Sequence, residues 1–137
     1  MPPALSGRHM GALRRDAKCL GALAAMRLAL SLRGYAAIRA AMPEAAQTAD
    51  GHFYARQLAR RITRLARAVP GASCLTQALA LQYLLARAGH ACELHVGVKR
   101  DAKGQFAAHA WVSCNGRIVL GAEGTRLADY TALAGAR

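Results

Sequence analysis

Ser73-Cys74-Leu75-Thr76-Gln77-Ala78-Leu79-Ala80-Leu81 and, further on, Ala108-His109-Ala110-Trp111-Val112 are the stretches on which the reading of this chain turns. The first opens just behind Pro70-Gly71 and runs to about Arg87, apolar nearly all round through Leu75, Leu79, Leu81, Leu84 and Leu85. Such a helix is buried on most sides. Ser73 suits its N-cap, although Thr76 is not the Glu or Gln that a capping box needs, and Gly89 closes its far end. Cys74 therefore falls in the first turn. There a helix presents partial positive charge and N–H groups without intrahelical acceptors, which favour an anionic sulfur and can hold an oxyanion. His109 is centred in a strand from Phe106 to Cys114, sharing a face with Trp111 and Ser113 while Ala108, Ala110 and Val112 point away. An imidazole near a thiol can take its proton and return it to a leaving amine. Cys74 and His109 are the candidate nucleophile and base.

Outward from this centre, the C-terminal side reads as strands. Ala91 to Lys99 alternates, with Cys92, Leu94, Val96 and Val98 on one face and Glu93, His95, Gly97 and Lys99 on the other. Arg100 to Gln105 is a polar loop. Asn115-Gly116 signals a type I′ hairpin leading into a third strand, Arg117 to Gly121. Leu127 to Leu133 reads as a further edge strand or a short helical turn. On the N-terminal side, Gly51 to Val69 reads as a helix with a Leu58, Ile62, Leu65, Val69 stripe and Arg56, Arg60, Arg64 and Arg67 largely opposite. Pro43 to Gly51 is a linker. Before it, Leu28, Leu32, Tyr35, Ile38 and Met42 recur at helical spacing, predicting one long helix from Asp16 to Met42, weakened by Gly34. Residues 1–15 read as a basic tail. The expected division is 1–50, basic tail and helical extension, and 51–137, core. The fold class is α+β.

The chain has 137 residues, enough for one core, since a chain near this length buries about 68–70% of its unfolded surface. Nineteen Lys and Arg against seven Asp and Glu give a net charge of +12. Nucleic acid is the default partner for such a balance. The chain offers no helix-turn-helix, zinc-finger or RNA-recognition signature, and its aromatic residues do not interleave with the basic run, so an acidic peptide or protein is the expected partner instead. The arginines are either a solvated face or a docking surface. Four cysteines (Cys19, Cys74, Cys92, Cys114) form no C-x-x-C and are too scattered for a disulfide scaffold. No signal peptide is legible, and Cys19 to Leu32, interrupted by Arg27, falls short of the roughly 20 apolar residues of a membrane span. A reduced, cytoplasmic setting with no integral membrane segment is expected.

A third member would fix the imidazole's tautomer and orientation. With an ideal two-residue hairpin, Cys114 pairs with Arg117 and Ala122 lies opposite His109. Glu123 then faces the right way only if the strand bulges at Gly121-Ala122. Asp129 is the other downstream acid. A metal centre from Cys92, Cys114 and His109 is set aside, because Cys114 and His109 lie five apart on one strand and face opposite sides. No metal or cofactor is expected.

A helix-borne Cys followed by a strand-borne His is the layout of papain- and transglutaminase-like thiol enzymes. More closely, the chain resembles the transglutaminase-like leader peptidases of lasso-peptide biosynthesis. That family carries its Cys in C-L-x-x-(S/A)-L-x-L-x-x-L-L-x-x-x-G and its His in A-H-A-W-V. Cys74 to Gly89 and Ala108 to Val112 match, as do Leu94-His95-Val96-Gly97-Val98 and Leu127-Ala128-Asp129-Tyr130-Thr131, so the likeness covers residues 58–133. It implies an α+β, papain-like core with the Cys helix packed on a small antiparallel sheet, preceded by N-terminal helices. It also implies a cysteine peptidase with a Cys-His dyad or Cys-His-acid triad that removes the leader from a ribosomally made precursor peptide. A partner ATP-dependent macrolactam cyclase then closes the ring. With no strand-rich segment before Cys74, the chain looks like the stand-alone bacterial peptidase half, served by a separate leader-recognition protein. The family's acid lies about a dozen residues after the His, where this chain has Gly121, so Glu123 is the nearest substitute. The competing readings are a non-catalytic basic adaptor for an acidic peptide and a transglutaminase-like acyl transferase.

Overall fold

The structure, a computed structural model, describes residues 7–45, 52–122 and 130–132. Among these the elements run α1 (Gly7–Leu32), α2 (Tyr35–Ala41), α3 (His52–Leu65), a 3-10 turn (Ala66–Ala68), α4 (Cys74–Arg87), β1 (Glu93–Arg100), β2 (Phe106–Cys114), β3 (Arg117–Leu120) and β4 (Thr131–Ala132). The strands form one antiparallel sheet in the order β3-β2-β1-β4. This is the α+β architecture expected, with the Cys-bearing helix packed on the sheet and further helices preceding it.

The centre of the fold is α4, which packs on α1 and α3 and on the sheet through β1 and β2. Leu79, Leu81 and Leu85 are wholly buried, as are Ala78 and Ala80. Burying each leucine is worth roughly 1.5–3 kcal/mol. Both ends of the helix are finished by local chemistry. At the start Ser73 is extended (φ −76°, ψ 175°) and its side chain accepts the Thr76 N–H at 3.3 Å. At the end Gly89 is left-handed (φ 87°), with Gly89 N–H bonded to Ala86 O and His90 N–H to Leu85 O, the paired bonds of a Schellman stop. Cys74 is thus held at the first position of a deeply anchored helix.

The expected stripe holds in part: Leu58 and Ile62 are buried together with Ala55 and Ala59, but Leu65 and Val69 are half-buried, because α3 ends at Leu65 and the chain tightens into the 3-10 turn; Arg56, Arg60 and Arg64 on α3 and Arg67 in that turn are exposed. The region before it differs from expectation in three ways. The helix begins at Gly7, inside the supposed tail. It stops at Leu32, because Gly34 takes φ 82° and restarts the chain as a separate α2. Leu28 and Leu32 are exposed (60% and 75%), while Cys19, Ala22 and Leu23 supply the buried face. The reason is the break itself: the apparent stripe joined residues of two separate helices, so its helical spacing does not carry across Gly34. Asp16 is not a helix start. It lies mid-helix and pairs with Arg61 at 2.5 Å and Arg64 at 3.1 Å, tying α1 to α3.

In the sheet, His95 lies opposite Trp111 and Gly97 opposite His109. Leu94, Ala110, Val112 and Cys114 join the core. Asn115 (φ 52°) and Gly116 (φ 78°) make the expected I′-type turn. The bulge falls earlier than Gly121-Ala122. Ser113 pairs with Ile118 but Val112 pairs with Leu120, so Val119 is the extra residue. The short β4 adds an edge, placing Thr131 opposite Val98. Among the described residues no helix is long and apolar enough to cross a membrane.

Candidate active site

Cys74 and His109 line one cavity of about 540 Å³. Each arrives by a different route. The N-cap at Ser73 sets Cys74 as the first residue of α4. The period of β2 turns His109 away from the buried Ala110 and Val112. Both side chains are half-buried, as befits groups that must meet a substrate yet keep one geometry.

His109 is fixed from two sides. Its Nε2 lies 2.6 Å from the carbonyl oxygen of Gly121. A carbonyl can only accept, so Nε2 carries the proton and the neutral ring keeps its free electron pair on Nδ1. The ring also packs beside Trp111 (centroids 6.0 Å apart, 22° between planes) and Tyr130 (5.5 Å, 39°). The carbonyl therefore does what an orienting acid does: it selects one tautomer and one ring direction. Gly121 stands where the resembled family's acid would be expected, so a backbone group meets the imidazole at that point in the chain. The β3 bulge and the left-handed Gly121 (φ 94°) direct the chain there. A Cβ at Gly121 would sit 2.8 Å from both the Ala110 oxygen and the Trp111 Cβ, so the position accepts glycine alone without movement.

Glu123 and Asp129, the two acids considered from sequence, lie outside the described residues. His95 is placed apart from the cavity. Its Nε2 meets Ser113 Oγ at 2.8 Å and its ring stacks on Trp111 (5.5 Å, 16°), so it buttresses the aromatic cluster from the far side.

Around Cys74 the helix leaves its first N–H groups open. The cap takes the Thr76 N–H, and the Cys74 and Leu75 N–H groups have no intrahelical acceptor. Gln77, one turn on, lines the same cavity, with its Nε2 donating to Ala72 O at 3.4 Å. The other thiols are differently placed. Burial pushes the Cys19 thiol above its ordinary range, against the pull of Arg61. Cys92, at the foot of β1, donates its S–H to the His90 carbonyl oxygen at 3.7 Å; interaction with the neighbouring Cys114 on β2, and then burial, raise the Cys92 thiol, while the same interaction lowers Cys114 against its burial. Cys114 is only 4% exposed and lies on the sheet face away from His109.

Three features of the site escaped the sequence reading. Among the described residues, the group that meets the imidazole nitrogen is a main-chain carbonyl, which no residue type announces. Gln77 was passed over as an ordinary helix residue, although its three-residue spacing from Cys74 puts both on one face. The same cavity is also lined by the arginine face of α3, through Arg56, Arg60 and Arg64, and by Arg67 of the 3-10 turn.

Compared with models of known families, residues 13–134 match the transglutaminase-like superfamily, a span that contains α4, both candidate site residues and the sheet. No curated protein and no solved structure matches the chain significantly.

Proposed function

The chain belongs to the transglutaminase-like superfamily, and from that premise we propose that it is a cysteine peptidase that removes the leader of a ribosomally made lasso precursor before macrolactam closure. The observation carrying the peptidase assignment is the imidazole held through Nε2 by Gly121, in the cavity that Cys74 lines. With Nε2 so occupied, Nδ1 is the nitrogen free to accept the thiol proton. The thiolate then attacks the scissile carbonyl, and the open N–H groups of the first turn of α4 receive the oxyanion. Collapse breaks the C–N bond, with the proton passing from His109 to the departing amine. In the second half His109 takes a proton from water, hydroxide adds to the thioester, and Cys74 is released. A carbonyl gives the imidazolium a dipole rather than a full charge. A thiol tolerates this better than a hydroxyl, being a stronger acid and nucleophile.

The leader-peptidase substrate is supported by the paired motifs around Cys74 and His109. The proposed partners are a precursor peptide, a separate leader-recognition protein and an ATP-dependent cyclase, all in the cytoplasm. The test takes the short reading frames that flank this gene as candidate precursor and recognition protein, with products weighed by mass spectrometry. Wild type should release the leader in one cut. Cys74→Ala and His109→Ala should abolish it, and His95→Ala should retain it. Full cleavage by Cys74→Ala refutes the thiol mechanism. A precursor left whole by the wild type refutes the substrate. Capture of added hydroxylamine in place of water, with no free acid formed, would make the chain an acyl transferase.

A further inference from the structure

The arginine face of α3 is a wall of the cavity that holds Cys74 and His109. Arg56, Arg60 and Arg64 follow at steps of four along α3, and Arg67, three further on in the 3-10 turn, extends the row past the helix end. Eleven steps, at about 1.5 Å each in α3 and about 2 Å each in the 3-10 turn, make the row roughly 17 Å long, the span of about five residues of extended peptide. Like charges at this spacing oppose the helix that carries them. Among the described residues, Asp16 is the carboxylate partner of Arg61 and Arg64, and Arg56, Arg60 and Arg67 make no ion pair. The row is exposed to solvent, and Arg56, Arg60 and Arg67 carry charge that no carboxylate among the described residues pairs, beside the candidate nucleophile. Guanidinium groups bind carboxylates through two parallel hydrogen bonds, and a cleft of one sign concentrates ligands of the other.

We propose that this row selects the substrate: a peptide with two or more Asp or Glu side chains within about five residues of the bond cleaved, laid along α3 so that its carboxylates meet Arg56, Arg60 and Arg67. The inference rests on the peptidase reading for the word "cleaved", but the binding it predicts does not. The arginines are specificity residues, neither a remote docking face nor a merely solvated one. Asp16 already holds Arg64, so the three unpaired arginines carry the selection.

The test is a set of internally quenched decapeptides built on the cleaved sequence, with Glu, Ala or Lys placed in turn at each of the five positions on either side of the bond. Glu should exceed Lys in kcat/KM by about tenfold or more at the best positions in low salt, and the gap should shrink at high salt. Arg56→Gln/Arg60→Gln should erase the preference, and Arg56→Glu/Arg60→Glu should invert it, with circular dichroism reporting that each variant is folded. Glu and Lys peptides cleaved within twofold of each other overturn the proposal and leave the peptidase reading standing. So does a preference that survives charge reversal. If no peptide is cleaved, the peptidase reading fails by itself, and fluorescence anisotropy of Cys74→Ala with labelled Glu-rich and Lys-rich decapeptides decides the proposal. Tighter binding of the Glu-rich peptide, lost in the charge-reversed variant, upholds it; equal binding overturns it. A single-stranded oligonucleotide that displaces the acidic peptide with the higher affinity also overturns it, since the face would then serve nucleic acid.

Discussion

Replacing Gly121 by alanine tests the site through its least conspicuous member. Two penalties meet at this residue. An L side chain at φ 94° costs about 1–2 kcal/mol in backbone strain. The new Cβ would also lie 2.8 Å from the Ala110 oxygen and 2.8 Å from the Trp111 Cβ, neither of them the far end of a flexible chain. Overpacking of that kind costs typically about 1–3 kcal/mol. The sum, about 2–5 kcal/mol, is a large part of a domain stability of about 5–15 kcal/mol. Two other glycines separate the terms. Gly116 has φ 78° with nothing within 4 Å of its would-be Cβ, so Gly116→Ala carries strain alone. Gly97 lies outside the left-handed region, but its Cβ would meet Tyr130 at 2.7 Å and the Trp111 ring at 3.0 Å, so Gly97→Ala carries crowding alone. Urea unfolding followed by Trp111 fluorescence reads all three. With slopes of about 1–3 kcal/mol per molar urea, Gly121→Ala should lower the midpoint on the order of 1–2 M, more than either single-penalty variant. At temperatures where it stays folded, its kcat should fall about tenfold to a hundredfold as the carbonyl moves off His109. Equal losses for Gly121→Ala and Gly116→Ala, or undiminished turnover, would refute the argument.

Stability should also decline in alkali. The folded state holds the Cys19 proton above the ordinary thiol range of about 8.5 because the group is buried, so above that pH the unfolded chain binds fewer protons and ΔG of unfolding falls, by up to about 1.4 kcal/mol per pH unit for one thiol. The contribution is intact below that range, and Cys19→Ala should flatten the slope in urea titrations between neutral pH and pH 10. Ser73→Ala removes the side chain that accepts the Thr76 N–H, and with Thr76 wholly buried its cost should be about 1–2 kcal/mol by thermal unfolding.

The parts of the fold that could be read from residues alone are those decided locally. Pro70-Gly71, Ser73 and Gly89 punctuate α4. Alternation delivers β2 from Phe106 to Cys114, and Asn115-Gly116 names its turn. The parts that could not be read depend on contacts distant in sequence. Asp16 looked like a helix start because acids favour that place; only the approach of α3 shows it as the partner of Arg61 and Arg64. Leu28 and Leu32 fitted a stripe that Gly34 cuts in two. At the site, Cys74 and His109 were legible by residue type, and the structure brings both to one cavity. The placement of the arginines in the same cavity was not, since amphipathicity says which face of α3 is polar and nothing of what that face overlooks. Nor was the bulge at Val119, which depends on how β3 meets β2.

The bond from His109 to the Gly121 carbonyl has a consequence for acidity. An aspartate or glutamate in that place would have an ionisation of its own, and acid would neutralise it and weaken its hold on the ring. The peptide oxygen has no such equilibrium in the range where proteins fold. This hold on the imidazole therefore lasts as long as the fold does, and acid that would neutralise a carboxylate leaves this one contact untouched. The same oxygen belongs to every residue type, so a search among side chains alone passes over this contact.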